Sequence, residues 1–464
     1  MIKSVFRKDT TKITLFIFIV WMPFYLTFFP GVGLQDEIYS SIKSTEMINQ
    51  PFLYNIILNS FYRLGRYLGH PIFGMGLLVF ILMLITAAAI SHVIVWITRL
   101  ELNKFYSLLL ILYYSATPIV IDYAISPIKD RLFAVILLLL IPVLYTQATR
   151  HFVFYNKKET MIFSFLMVAM CLARTNGFYI FILMSLVIFA LSRFKTKTFA
   201  VLCCIFIIGT LPNFFIASDF TESVAVPIQQ ISRVVFLHRD IPEQEKTFIQ
   251  TMMPIDKIEQ KYNPAVSDSI KWDSSYNRSF VNQNKGAFLK TWLVLLKKYP
   301  QDYIVAWYNE TNGYWTVRPW IDRQSKMVHA YDRKIYTANE KGYVNSGYAV
   351  SEEPLIPEKL KNIFGSYLSY YTFYLPSGVC FLVTVFLGFV FLLKKQIPSL
   401  VCILPAIFSS LTFIMAAPIN GVFRYTFYYA LCLPVYIALP FVKPGRPEHT
   451  LSSAEPKASP SRSH

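Results

Sequence analysis

Two carboxylates stand side by side at Asp36 and Glu37, in the stretch "FFPGVGLQDEIYSSIKSTEMI" that follows the first long apolar run. A carboxylate placed this way can take the proton from an attacking hydroxyl as a general base. Its neighbour can orient the acceptor or share a metal ion with it. The plainer reading is a pair of charges at the start of a short surface helix, where the helix dipole favours acids.

A second set mixes cations with an acid. In "SPIKDR", Asp130 lies between Lys129 and Arg131; "RTNG" supplies Arg174 and Asn176; "NGVFR" ends in Arg424. Lys129, Arg131, Arg174 and Arg424 are candidate phosphate ligands, since guanidinium and ammonium groups match phosphate oxygens in charge and donor geometry. Asp130 would orient them, or join Asp36 and Glu37 around a divalent cation such as Mg or Mn, and Asn176 would contact substrate. Interfacial charges that merely snorkel to water are the alternative. A third set lies in "VPIQQISRVVFLHRD". Gln229 and Gln230 can hydrogen-bond hydroxyls and Arg233 can meet an anion, with Gln230 and Arg233 on one helix face. An ordinary amphipathic surface helix has the same pattern. The seven histidines form no H-E-x-x-H and no paired-cysteine context, and there is no P-loop and no G-x-S-x-G. The energy for any reaction must then come from an activated substrate.

The elements that position these residues follow from composition. Of 464 residues, 55% are hydrophobic and only 15% charged, against about 25% charged in a soluble domain. Mean hydropathy is +0.44. Apolar runs recur, and the pattern predicts an all-α polytopic membrane protein with about ten transmembrane helices, near 12–30, 72–98, 105–124, 131–149, 160–175, 177–193, 199–218, 370–393, 397–417 and 422–442. Basic residues alternate with these spans. They cluster before the first, then at Arg99 and Lys104, Arg150 to Lys158, Arg193 to Lys197, Lys394 and Lys395, and in the tail. By the positive-inside rule those connections and both termini face the cytoplasm. This also accounts for much of the +17 charge without any nucleic-acid partner. The first run, with its basic flank and no small-residue cleavage site, reads as a retained signal-anchor. The six cysteines all sit in apolar segments and read as small buried hydrophobes.

The expected organisation is an N-terminal membrane module (1–218, about seven spans, with a first outer loop 31–71), an extracytoplasmic module (219–369), a C-terminal membrane module (370–442, about three spans) and a disordered cytoplasmic tail (443–464). The 219–369 segment is rich in tryptophan. Its run "AFLKTWLVLLKKYPQDYIVAWYNE" has helical spacing broken at Pro300, which predicts two short helices.

Seven pieces in chain order carry a resemblance: "FFPGVGLQDE", "SPIKDRLFAVILLLL", "ARTNGFYI", "VPIQQISRVV", "YNPAVSDSIKW", "KKYPQDYIVAWYNETNGYW" and "NGVFRYTFYYALCLP". Together they resemble a bacterial family of polytopic membrane proteins, labelled mainly as a domain of unknown function and similar to GT-C glycosyltransferases. The resemblance implies a bacterial inner-membrane, inverting transferase. It would move a sugar from a polyprenyl-phosphate donor to a cell-envelope glycan or other acceptor, with Asp36 as base. The alternatives are a non-catalytic transporter or flippase for lipid-linked saccharides, which would show repeats and midplane polar residues, and an O-antigen-type polymerase.

Overall fold

The computed structural model describes residues 2–31, 51–154, 156–212, 219–317, 356–370 and 376–442. They are helical throughout, with no strand among them; one isolated bridge pairs Val266 with Ile419. Among the described residues before 219 there are nine α-helices: α1 (Ile2–Thr27), α2 (Phe52–Tyr67), α3 (Pro71–Arg99), α4 (Lys104–Ala116), α5 (Pro118–Ala124), α6 (Lys129–Thr149), α7 (Lys157–Ala173), α8 (Gly177–Leu191) and α9 (Lys195–Thr210).

Local chemistry sets their limits. The His70 ring accepts from the Ile72 amide at 3.2 Å and Pro71 opens α3. The Asn103 and Asn156 side chains cap α4 and α7, each at 2.9 Å; both are favoured N-cap residues. Thr117 precedes Pro118, which disfavours helical backbone at Thr117. The chain bends there by 58° between α4 and α5. Helices α2 and α3 cross so closely that a Cβ on Gly74 would collide with the Phe61 carbonyl oxygen, the close approach that small residues permit.

Helix α6 is buried on almost every side, as an all-round apolar helix should be in the middle of a bundle. It packs against α3 and α7 and against two C-terminal helices, α20 (Ile397–Ala416) and α21 (Tyr428–Ala438). Before these come α18 (Glu358–Tyr370), which lays Phe364 against Phe24 of α1, and α19 (Ser377–Leu393).

Among the described residues, four helices are long and apolar enough to cross a membrane: α1 from Asp9, α3, α6 and α20. The bent α4–α5 pair makes a fifth. Within the described residues, the other five expected spans hold helices of no more than 17 residues. Such a helix is about 25 Å long, short of the roughly 30 Å of a bilayer's hydrocarbon core.

Between the two halves lies a helical module at 219–317. Its helices are α10 (Phe220–Ser223), α11 (Ala225–Phe236), α12 (Glu243–Met252), α13 (Ile255–Lys261), α14 (Asp268–Lys271), α15 (Arg278–Gln283), α16 (Lys285–Lys298) and α17 (Pro300–Thr311). It has its own core, in which Ile228 and Ile231 of α11 meet Ile249, Ile270, Phe288 and Tyr303. The break at Pro300 falls where its ring requires it. Four cysteines, Cys171, Cys380, Cys402 and Cys432, are buried; Cys204 is exposed.

Candidate functional site

Asp130 occupies the first turn of α6, where a negative charge suits the helix dipole. It is 1% exposed. Arg174 Nη1 lies 2.6 Å from its Oδ1, and Arg424 Nε lies 2.9 Å from its Oδ2. The two arginines come from distant places: Arg174 is the extended residue that ends α7, and Arg424 sits in the 3-10 turn Phe423–Thr426. Arg174 also donates to the Tyr425 carbonyl at 3.0 Å. Its guanidinium lies over the Phe413 and Tyr425 rings at 5.1 and 5.4 Å. The three charges therefore form one buried, aromatic-walled cluster, with half-buried Lys129 beside it. Removing one member of such a cluster leaves an uncompensated buried charge.

Arg131 takes another direction. It is also 1% exposed, and its Nη1 donates to the Ala124 carbonyl while its Nη2 is sealed from solvent without a hydrogen-bond partner. Asn176 does not reach the Asp130 cluster with its amide nitrogen, which donates to Thr412 Oγ1 at 3.0 Å and ties the start of α8 to α20.

Asp36 and Glu37 lie outside the described residues. Both ends of the segment that carries them are fixed next to the 125–131 turn. A Cβ on Gly31, at φ +132°, would strike the Ile125 carbonyl and Val79, and the Tyr54 hydroxyl of α2 donates to the Pro127 carbonyl at 2.5 Å.

The glutamines of α11 work inside the module. Gln229 donates to the Asn263 carbonyl, and Gln230 donates to the Tyr303 carbonyl at 3.2 Å while accepting from Trp292 Nε1 at 2.7 Å. Gln230 thus cross-links α11, α16 and α17. Arg233 is half-exposed, with its Nε buried and unpaired.

What joins module to bundle is a pair of Asn-Gly turns. Asn420 donates through Nδ2 to the Asn309 carbonyl (2.6 Å) and Asn312 Oδ1 (2.7 Å), and accepts from the Gly313 amide (2.7 Å). Its own amide donates to the Ala265 carbonyl at 2.9 Å. Gly421 has φ +64°, and a Cβ on Gly313 would strike Asn420, so both glycines are required by the fit. Trp307 Nε1 adds a bond to the Ile414 carbonyl at 2.7 Å. The sequence motifs "TNGYW" and "NGVFR" are therefore two halves of one clasp, and Arg424 follows Asn420 directly into the Asp130 cluster.

Other ionisable groups were not singled out from sequence. Lys271, buried in the module, pairs with Glu222 (2.9 Å) and Asp268 (2.8 Å). Burial pushes its ammonium down, but those two carboxylates raise it above its ordinary value. Arg278 pairs with Asp219 and Glu222 and lies 4.3 Å from the centre of the Trp272 ring, which is 61% exposed beside a shallow polar cleft. Burial pushes Asp219 up, yet hydrogen bonds from Thr221, Asn282 and Arg278 hold it below the ordinary value. Glu310, fully buried, is pushed up to about 8 by burial. The i,i+3 spacing of Asp268 and Lys271 was the one sequence signal for this network; nothing in the pattern marks Glu310. Among the described residues, no group of three His, Cys, Asp or Glu side chains could hold a metal ion. Both oxygens of Asp130 are occupied by guanidiniums.

A family described as of unknown function, DUF6020, matches residues 42–364. The match covers more than half of the chain, so the protein belongs to that family. It includes Asp130, Arg131, Arg174 and the whole module; Asp36 and Glu37 precede it and Arg424 follows it. No curated protein and no solved structure matches the chain.

Proposed function

We propose that this DUF6020 protein is an integral membrane glycosyltransferase on a GT-C-like plan. It moves a sugar, with inversion, from a polyprenyl-phosphate donor to a cell-envelope glycan or other acceptor at the module end of the bundle. The reading includes ten spans, both termini in the cytoplasm and a place in the bacterial inner membrane. The observation that carries it is the buried charge at that end: Asp130, Arg174 and Arg424 in one cluster, with Arg131 close by in the same helical turn. Ionisable groups inside an apolar bundle are costly, and they mark substrate sites by default.

The four cations divide into two roles. Arg174 and Arg424 are turned to Asp130 and hold the ends of α6, α7 and the 417–424 loop in register. Arg131 is the seat for the donor phosphate, because its buried Nη2 has no partner and an anion there would offset the cost of a desolvated cation. Lys129 stands at the rim. Asp36 serves as general base, and Glu37 orients the acceptor or shares a divalent cation with it. The support for this placement is that the chain enters and leaves their segment beside the Arg131 turn.

The test is binding of a labelled polyprenyl-phosphate sugar to the purified protein. Losing a cation from a partly desolvated phosphate site costs about 2–5 kcal/mol. Arg131→Ala should therefore weaken binding at least tenfold while the protein stays folded; unchanged binding removes Arg131 from the site. A second reading, a non-catalytic transporter for lipid-linked saccharides, draws on the bent α4–α5 pair, since interrupted helices are common in transporters. Binding without any sugar transfer would favour it.

A further inference from the structure

Glu310 lies in the last turn of α17, between the two residues that Asn420 grips, Asn309 and Asn312. It is 0% exposed, and neither carboxyl oxygen completes a hydrogen bond. The hydroxyl and amide of Ser267 favour the ionised form, but both are donated to the Pro418 carbonyl, at 3.1 and 3.0 Å. A bare carboxylate in such a place is strongly disfavoured, whereas a protonated carboxyl is tolerated.

The surroundings compensate a negative charge only in part: burial outweighs the favourable effects of Ser267 and Lys271. From α14 come Lys271, already paired with Asp268 and Glu222, and Asp268 itself, which repels a carboxylate. Helix α11 offers Gln229 and Gln230, both engaged elsewhere, and Arg233. The lysines that end α16, Lys297 and Lys298, sit at the opposite, N-terminal end of α17. The 417–422 loop contains no ionisable residue, and α20 has none beyond Cys402.

We propose that Glu310 is a proton-binding site in the seam between module and bundle, neutral when the module is docked and ionised when the seam opens. Docking then takes up one proton, and the pH around the module sets how firmly the clasp closes over the Arg424 loop. The inference does not depend on the transferase reading, because it concerns the seam and not the donor.

The sign follows from linkage. Burial raises the docked value to about 8, above the ordinary 4.5. Docking is at full strength below the lower value. It weakens by up to about tenfold per pH unit between the two and levels off above the higher one, where Glu310 is ionised in both states.

The experiment is hydrogen exchange of the full-length protein in lipid nanodiscs, followed at the Ser267, Gly313 and Asn420 amides and corrected for the intrinsic rate. Protection should fall as pH rises from about 5 to about 8. Glu310→Gln, neutral at every pH, should hold the acid-limit protection throughout. A flat wild-type profile, or a Glu310→Gln profile with the same slope, would overturn the proposal. If that variant does not accumulate, infrared spectra of the wild type decide: a protonated-carboxyl band at pH about 6 that disappears above about 8 supports it, and absence of the band at pH about 6 overturns it.

Discussion

Asp130 Oδ2 lies 2.9 Å from Arg424 Nε, and that contact links the central helix α6 to the loop the module grips. Because the same carboxylate also holds Arg174, one acid fixes three chain segments. The charge cluster and the Asn420 clasp are thus consecutive parts of one assembly at the module end.

Asp130→Asn should be severely destabilising. It leaves two buried guanidiniums facing a neutral amide, and breaking a buried pair costs about 3–5 kcal/mol. Thermal unfolding in detergent should show a large fall in midpoint for Asp130→Asn and a small one for Arg131→Ala, which faces no carboxylate there. Equal falls would contradict the division of the cations into two roles.

The clasp has its own signature. Asn420→Ala removes three side-chain hydrogen bonds and leaves buried partners unsatisfied, at about 1–3 kcal/mol for each stranded group. Gly313→Ala should act alike by collision. Protease sensitivity of the module in the intact protein should rise in both variants, and an unchanged digestion pattern would argue against a clasp.

Much of this arrangement was legible in sequence, and the limits were physical. Helical periodicity and basic loops marked the apolar segments, and Pro300 placed the α16–α17 break. Lys129, Asp130, Arg174 and Arg424 stood out because charge in an apolar chain needs a reason. Which cation faces which anion depends on three segments meeting in space, and spacing along the chain does not encode that. Gln229 and Gln230 read as surface amides because an amphipathic helix does not reveal which face its module covers; both brace the interior. Glu310 was invisible, since "YNETNG" looks like a polar helix end and spacing along the chain does not show that its carboxyl is buried.

Acid should loosen the module in a defined window. Burial opposes ionisation of Asp219, but its hydrogen bonds win and hold its value below the ordinary 3.8. The stability it contributes is therefore present above that ordinary value and lost as pH falls through the lower, folded one. Asp219→Asn should flatten this acid limb in a pH series of unfolding midpoints. A wild-type limb that persists unchanged in the variant would assign it to other groups.

Topology can be settled by labelling. Lys290→Cys, on the exposed side of α16, should react with an impermeant thiol reagent in intact cells. Ser459→Cys should react only after permeabilisation. Labelling of Ser459→Cys in intact cells would remove the ten-span arrangement.

The most direct test of the central claim is single-turnover transfer of a labelled sugar from a polyprenyl-phosphate donor by purified protein, with donor binding measured on the same preparation. General-base catalysis contributes about 10²–10⁴-fold. A general base at Asp36 predicts transfer by the wild type and at least about 100-fold less by Asp36→Asn, with donor binding intact, as expected if the phosphate sits on Arg131 as proposed. No transfer by the wild type despite donor binding, or near-normal transfer by Asp36→Asn, would contradict it.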